Sequence, residues 1–112
     1  AIMRHDPIRF VEKVDFVTTP GYLAGPGSRE AAGLPTGTGP YRVVTTLAIM
    51  GYDQDTCRMK LLATQPGVSI EHVLENTGFN LLLADQVAEN PPPSAEELRV
   101  LREEVDRDRL YI

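Results

Sequence analysis

The stretch PYRVVTTLAIMGYDQDTCRMKLLATQPGVSIEHVLENTG, residues 40–78, decides the fold. Its first part, Tyr41 to Met50, puts Tyr41, Val43, Thr45, Leu47 and Ile49 on one face of an extended chain and Val44, Ala48 and Met50 on the other. Both faces carry enough apolar surface to need cover, which predicts an interior strand. Met59, Leu61 and Ala63 give a return strand over Arg58 to Thr64 one apolar face. The seven residues between Met50 and Arg58 include Asp53 and Asp55 and suit an open hairpin loop, so the pairing is expected to be antiparallel. Ser69 stands as N-cap to a helix whose Ile70, Val73 and Leu74 fall at i, i+3 and i+4. Gly78 can take the left-handed conformation that closes it. Phe79 to Ala84 reads as a further buried strand.

Around this centre the chain reads as one α/β domain over residues 1–112, long enough to bury a core with its 42% apolar residues. A single cysteine, Cys57, cannot form an internal bridge. Neither a charged-then-apolar leader nor a run of about 18 apolar residues is present, which together point to a soluble, cytoplasmic protein. The net charge of −5 is spread along the chain, and no stretch interleaves Lys or Arg with aromatics, which argues against nucleic acid and anionic membranes as partners.

After a polar entry at Arg4, His5, Asp6 and Pro7, the residues Phe10, Val11, Val14, Phe16 and Val17 alternate imperfectly, predicting a strand that ends near Thr18 before Pro20 and Gly21. The segment from Thr18 to Pro40 holds six of the nine glycines and four of the nine prolines, broken by a helical turn predicted at Arg29 to Ala32. Loops beyond about 12–15 residues are uncommon inside compact domains, so this one is expected to be ordered by packing on a partner subunit or on a further part of the protein. Near the other end, Pro91 to Pro93 form a stiff surface connector without backbone donors. Ser94 with Glu97 makes a capping box, and Leu98, Leu101 and Val105 form one narrow stripe of an amphipathic C-terminal helix supported by Glu103 four residues before Arg107.

Catalytic and metal patterns fail one by one. Asp53 and Asp55 have the first spacing of a calcium loop, but the sixth position is Arg58 where glycine is required. His5 and His72 are far apart and one thiol cannot build a zinc site, so no metal is indicated. Gly25-Pro-Gly27-Ser28 lacks the second glycine of a nucleophile elbow, and Gly37-Thr-Gly39 lacks the third glycine and preceding strand of a dinucleotide fingerprint. Most carboxylates fall on helix faces or loops where solvated charge is the default, Glu12 being the least settled. Cys57, in a hairpin loop without a base or helix N-terminus, reads as a bystander. The residues alone thus describe a soluble α/β chain with a glycine-rich loop and no self-contained catalytic set.

Read as a whole, the chain resembles the C-terminal half of the B subunit of glutaconate-type class I coenzyme A transferases, nearly end to end. The likeness is carried by Met3-Arg-His5, Phe10-Val-Glu-Lys-Val-Asp-Phe-Val-Thr18, Pro20-Gly-Tyr-Leu23, Gly25-Pro-Gly27, and Ala32-Gly-Leu-Pro35 leading into Gly39-Pro-Tyr-Arg-Val-Val-Thr45. It continues through Pro66-Gly-Val-Ser69 and Asn76-Thr-Gly-Phe79. The resemblance implies an open mixed-sheet α/β fold shared with ribose-phosphate isomerases and a heteromeric A/B enzyme moving coenzyme A between carboxylic acids. In such enzymes a glutamate attacks the acyl-CoA thioester and the resulting glutamyl-CoA thioester exchanges with the acceptor acid. Coenzyme A thioester is then substrate, and no separate cofactor is implied.

That glutamate is expected in a Glu-Asn/Ser-Gly-like turn of the N-terminal half. Glu12, Glu30, Glu71 and Glu75 match other family positions, so no catalytic residue is assigned here, and the chain would be a fragment or truncated product of a site-bearing subunit. The resemblance places His5 at the end of a strand from the absent half, where a polar residue can face the ligand crevice of an open α/β sheet, so His5 is the one site-adjacent candidate. Two other readings stay open: a branch of the family that hydrolyses ring-containing CoA thioesters in steroid breakdown, and a non-catalytic interaction module. Alone, the chain is expected to fold at least partly through its consecutive elements, to be inactive, and to self-associate through open sheet edges.

Overall fold

The structure, a computed structural model, describes residues 1–111. It contains β1 (Ile2–Met3), α1 (Ser28–Ala31), β2 (Val43–Thr45), β3 (Ala48–Tyr52), β4 (Met59–Thr64), α2 (Ile70–Glu75), β5 (Leu82–Glu89) and α3 (Ala95–Val100), the last continuing into a π-helical stretch at Leu101–Val105. The five strands form one sheet in sequence order. β1 and β2 run parallel, β3 is antiparallel to both its neighbours, and β4 and β5 run parallel. Four strands therefore point one way and the central β3 points the other. This is the open mixed α/β sheet that the sequence implies.

The hairpin of β3 and β4 is central as expected, but the run from Tyr41 to Met50 is two strands, not one. Val43 pairs with Met50 and Val44 with Ile49 around a reversal at residues 46–47. No glycine or proline marks this turn; the Thr45 hydroxyl makes it, accepting from the amides of Leu47 at 3.2 Å and Ala48 at 2.9 Å. The reversal puts Val43, Thr45, Ala48 and Met50 together in the core, where alternation along one strand would have separated them. A second irregularity lies opposite: Ile49 pairs with Ala63 but Met50 with Leu61, leaving Leu62 as a bulge. Leu61 and Thr64 consequently become the buried residues of β4 while Ala63 is only half-buried.

Met50, Leu61 and Val73 are completely enclosed and pack with Phe10, Val43, Ala48 and Leu81. At about 1.5–3 kcal/mol for each large side chain removed from water, this cluster fixes α2 on one face of the sheet. Ser69 caps α2 through the His72 amide as expected. The helix ends on Asn76, and Gly78 does not adopt a left-handed conformation. Glycine is needed there for proximity: the Gly78 amide donates to Phe10 O at 2.6 Å, and a Cβ would sit 2.5 Å from that same oxygen.

The strand expected over residues 10–18 does not form. Asp6 turns the chain instead, its carbonyl accepting from the amides of Arg9 and Phe10. Only Val11 bridges to Gly78, while Phe16 and Val17 are 80% and 62% exposed. The edge position beside β2 is taken by β1, so this β-rich run has no ladder to join. The strand expected over residues 79–84 lies later, at β5, and is a half-exposed edge strand with Leu83 46% exposed. The expected helical turn near Arg29 is α1. The Ser94 and Glu97 capping box forms reciprocally. Beyond it, Arg107 bonds the Glu103 backbone carbonyl instead of its carboxylate, because that carboxylate joins Glu96 and Glu104 around Arg99. Leu98 and Leu101 are half-buried and Val105 is 72% exposed, so the stripe is incompletely covered. The radius of gyration is 16.4 Å, against about 13 Å for a compact domain of this length.

Two glycines test this packing. Gly78→Ala must push backbone against backbone and is expected to lower stability by about 1–3 kcal/mol. At Gly51 a Cβ would meet only Leu62 Cδ1 and Arg42 Nη1, the movable ends of side chains, so Gly51→Ala is expected to cost about 1 kcal/mol or less. Urea unfolding of both variants checks the order; equal losses would contradict the close approach at Phe10.

Candidate functional site

Because β1, β2, β4 and β5 run parallel, their carboxyl ends lie along one end of the sheet, the place where open α/β sheets gather ligands. A connected row of polar groups occupies that end. Asn90 Nδ2 donates to Gln65 Oε1 (3.1 Å), and Gln65 Nε2 donates to Thr45 O (3.0 Å). The Gln65 amide donates to Leu47 O (2.8 Å), and the Asn90 amide to Thr64 O (2.7 Å). His5 completes the row. Its Nδ1 lies 3.0 Å from Thr45 Oγ1, its Nε2 2.9 Å from Thr77 Oγ1, and its amide donates to Thr46 Oγ1 at 3.2 Å.

His5 follows β1, a strand of this chain, at this end of the sheet; it is 4% exposed, with the Phe10 ring stacked on it at 4.1 Å. Burial lowers its pKa; Asp6 opposes that shift and His72 adds to it. Both ring nitrogens are occupied by threonines, so the ring offers no free atom for a substrate. The carboxylates considered from the sequence are elsewhere: Glu12, Glu30, Glu71 and Glu75 are all exposed. Glu89 is exposed at the end of β5 with Oε2 3.4 Å from the Gly67 amide. The row as a whole is a set of neutral donors and acceptors, suited to fixing loops and orienting a polar ligand and unsuited to nucleophilic attack.

The opposite end of the sheet carries an open cleft of about 730 Å³ between residues 22–41 and the hairpin loop of β3 and β4. Its walls are tied internally. Tyr22 donates to Pro40 O at 2.9 Å and meets the edge of the Tyr52 ring at 5.0 Å between centroids. Arg29 reaches Gly21 O at 2.5 Å and Thr38 Oγ1 at 2.9 Å, so one guanidinium joins both limbs of the glycine-rich loop. Gly39, at φ +150°, lies under Tyr22, where a Cβ would come within 2.9 Å of the ring.

Asp53 organises the hairpin loop beside this cleft. One oxygen accepts from the Asp55 amide and from the amide and hydroxyl of Thr56, and the other meets Lys60 Nζ at 2.8 Å. Lys60 first, and Thr56 next, hold the Asp53 carboxyl well below the usual carboxylate range. These contacts account for why Asp53 and Asp55 belong to a self-contained loop. Among the described residues no three His, Cys, Asp or Glu side chains stand where they could hold a metal ion. Cys57 is half-buried in the same loop with φ +57°. Among the described residues no helix is long and apolar enough to cross a membrane. Sequence reasoning singled out His5 but not Thr45, Gln65, Thr77 or Asn90. The available signal was their position, a hydrogen-bonding side chain at or just beyond the end of a strand or helix.

No protein-family model matches the chain. It is 45% identical over 112 residues to the B subunit of glutaconate CoA-transferase of Acidaminococcus fermentans, covering 99% of this chain and 41% of that protein. It is 37% identical over 101 residues to the B subunit of 3-oxoadipate CoA-transferase of Pseudomonas knackmussii, covering 90% of this chain and 38% of that one. The chain thus spans about two fifths of the curated relatives it matches. Among solved structures it superposes on glutaconate coenzyme A-transferase from Acidaminococcus fermentans with a TM-score of 0.92 and 43% identity, over 99% of this chain and 42% of that one. Rhodococcus jostii RHA1 IpdAB follows at 0.77 and 27%, over 96% and 42%. The decarboxylase AibA/AibB, at 0.66 and 19% over 97% and 40%, shares the fold. The chain is homologous to a part of CoA-transferase B subunits, as its sequence motifs imply, and shares the fold of that part.

The internal ties of the glycine-rich loop predict a local effect. Tyr22→Phe removes one hydrogen bond, worth about 1 kcal/mol, and Arg29→Ala removes the link between the two limbs. Both variants are expected to speed amide exchange between residues 21 and 39 while leaving β3 and β4 protected. Unchanged exchange in that loop would show that these side chains do not order it.

Proposed function

We propose that this chain is the C-terminal portion of the B subunit of a heteromeric CoA-transferase, which moves coenzyme A from an acyl-CoA to a carboxylic acid through a glutamyl-CoA thioester. The observation that carries the reading is the end-to-end likeness to the Acidaminococcus fermentans enzyme, at a TM-score of 0.92 with the chain spanning 42% of its length. The partners are then an A subunit and the remainder of the B subunit, the substrates an acyl-CoA and a carboxylic acid, and the setting the cytoplasm. Coenzyme A enters as a thioester substrate, with no additional cofactor.

The nucleophilic glutamate belongs, on this reading, to the portion outside these 112 residues. A carboxylate nucleophile needs to be held beside donors for the thioester oxyanion. Glu12, Glu30, Glu71 and Glu75 are exposed and enter none of the hydrogen bonds or ion pairs described above, which supports placing the nucleophile elsewhere. The contribution of this chain is architectural: it supplies the polar row at the carboxyl end of the sheet and the apolar surface against which the rest of the enzyme packs. Ile8 and Phe16, at 86% and 80% exposure, and the glycine-rich loop from Thr18 to Pro40 are the surfaces expected to be covered in the assembled enzyme. Uncovered, they and the β5 edge favour self-association. His5 acts in this picture from behind the site, through Thr45 and Thr46.

The test is complementation. The purified chain is assayed for acyl-CoA transfer to a short-chain acid, alone and with a separately produced N-terminal portion and A subunit. No transfer is expected from the chain alone, and activity higher by several orders of magnitude is expected on complementation. Transfer by the chain alone would contradict the placement of the nucleophile. Release of free coenzyme A without a new thioester would identify the hydrolase reading, and no activity in any combination of correctly assembled parts would favour an interaction module.

A further inference from the structure

The hydrogen-bond geometry around His5 leaves little freedom in where its proton sits. Thr77 Oγ1 lies 2.7 Å from Val73 O, the carbonyl four residues earlier in α2, and two oxygens that close must share a hydrogen. The Thr77 hydroxyl hydrogen is therefore committed to Val73, and Thr77 can only accept from His5 Nε2. At the other nitrogen, Thr45 Oγ1 already receives the Leu47 and Ala48 amides, which fill its two lone pairs. Its remaining capacity is one hydrogen, and His5 Nδ1 lies 3.0 Å away to accept it. Ala48 O, 3.1 Å from the same hydroxyl, is the competing acceptor.

We propose that His5 is a proton-sensitive lock: held neutral with its hydrogen on Nε2, it accepts from Thr45 and donates to Thr77, tying the turn at residues 46–47 to the end of α2, and protonation reverses the Thr45 bond and releases the Leu47 amide from the turn. The consequence can be followed atom by atom. A proton on Nδ1 turns an acceptor into a donor aimed at an oxygen whose lone pairs are taken. The Thr45 hydrogen then has to swing to Ala48 O, and one incoming amide must be displaced. The weaker is that of Leu47, at 3.2 Å against 2.9 Å for Ala48. Protonation thus frees the Leu47 amide at the tip of the turn and leaves the Thr77 contact intact.

The surroundings agree with a neutral ring. The ring is 4% exposed and stacked on Phe10, so a charge there has no water to solvate it. Asp6, on the same segment, is already engaged by Arg4 and Arg9. On α2, which carries Glu71, His72 and Glu75, the group that acts on the ring is His72, and its effect opposes a second positive charge. β2 and the turn at residues 46–47 carry no ionisable side chain. The sign follows: with the folded-state value below the ordinary 6.5, the unfolded chain binds more protons, so the contribution to stability is fully present above about 6.5 and is lost as pH drops from there toward the folded-state value.

Three measurements on the 112-residue chain decide the matter. Long-range proton–nitrogen correlation of the histidine rings at pH 7 should show His5 neutral with the hydrogen on Nε2 and titrating below 6.5. Amide exchange at Leu47 should rise several-fold more than at Ala48 as His5 is protonated. Urea unfolding between pH 7.5 and 5 should show a falling midpoint for the wild-type chain and for His72→Gln, and a flat one for His5→Gln. A His5 ring that is charged, protonated on Nδ1 or titrating at its ordinary value would overturn the proposal, whether or not His5→Gln folds. So would the same pH dependence in His5→Gln as in the wild type.

Discussion

One buried hydroxyl, at the end of β2, determines where the chain reverses. Thr45 Oγ1 collects the amides of Leu47 and Ala48 and the Nδ1 side of His5, while the carbonyl of the same residue accepts from Gln65. Without that reversal the segment from Val43 to Met50 would run on as one strand, and Val43 and Met50, which now pair, would stand at opposite ends of it. Both are core residues, and Met50 is wholly enclosed. The turn thus converts an alternating apolar run into two short strands that pool their side chains on one face of the sheet, under α2.

The same hydroxyl joins parts of the chain that are distant in sequence. Through His5, 40 residues earlier, it reaches the segment that supplies edge strand β1, and His5 in turn reaches Thr77 at the end of α2, 72 residues further along the chain. Gln65 and Asn90 extend the connection to the ends of β4 and β5. A row of this kind has consequences for function as well as stability. Buried polar networks rigidify a structure when every member is satisfied. The row therefore acts as a frame that joins the ends of β2, β4 and β5 and the segment after β1 at the carboxyl end of the sheet.

Elements whose signals are local were legible in the sequence. The Ser94 and Glu97 capping box, the Ser69 cap, the hairpin loop around Asp53 and the short helix near Arg29 each depend on a few neighbouring residues. Where the reading failed, the deciding partner was remote. The β-rich run after Ile8 has the composition of a strand but no neighbour to pair with, because β1 holds the place beside β2. Gly78 looked like a helix terminator, and its actual reason, the Phe10 carbonyl pressed against it, lies some 70 residues earlier in the chain. The bulge at Leu62 also has no local marker; it arises from pairing with strands on both sides. The site followed the same rule, since His5 could be placed by resemblance, but its partners could be found only by folding the chain.

The Thr45 hydroxyl can be removed almost without changing the shape of its side chain, which makes Thr45→Val the most direct measurement of its role. Valine keeps the β-branch and the volume but leaves the Ala48 and Leu47 amides and His5 Nδ1 without their common partner. Stranding such buried groups is expected to cost about 2–4 kcal/mol in urea unfolding, whereas Thr45→Ser, which keeps the hydroxyl, should lose about 1 kcal/mol or less. A Thr45→Val chain within about 0.5 kcal/mol of the wild type, with β2 still protected from exchange, would contradict the account.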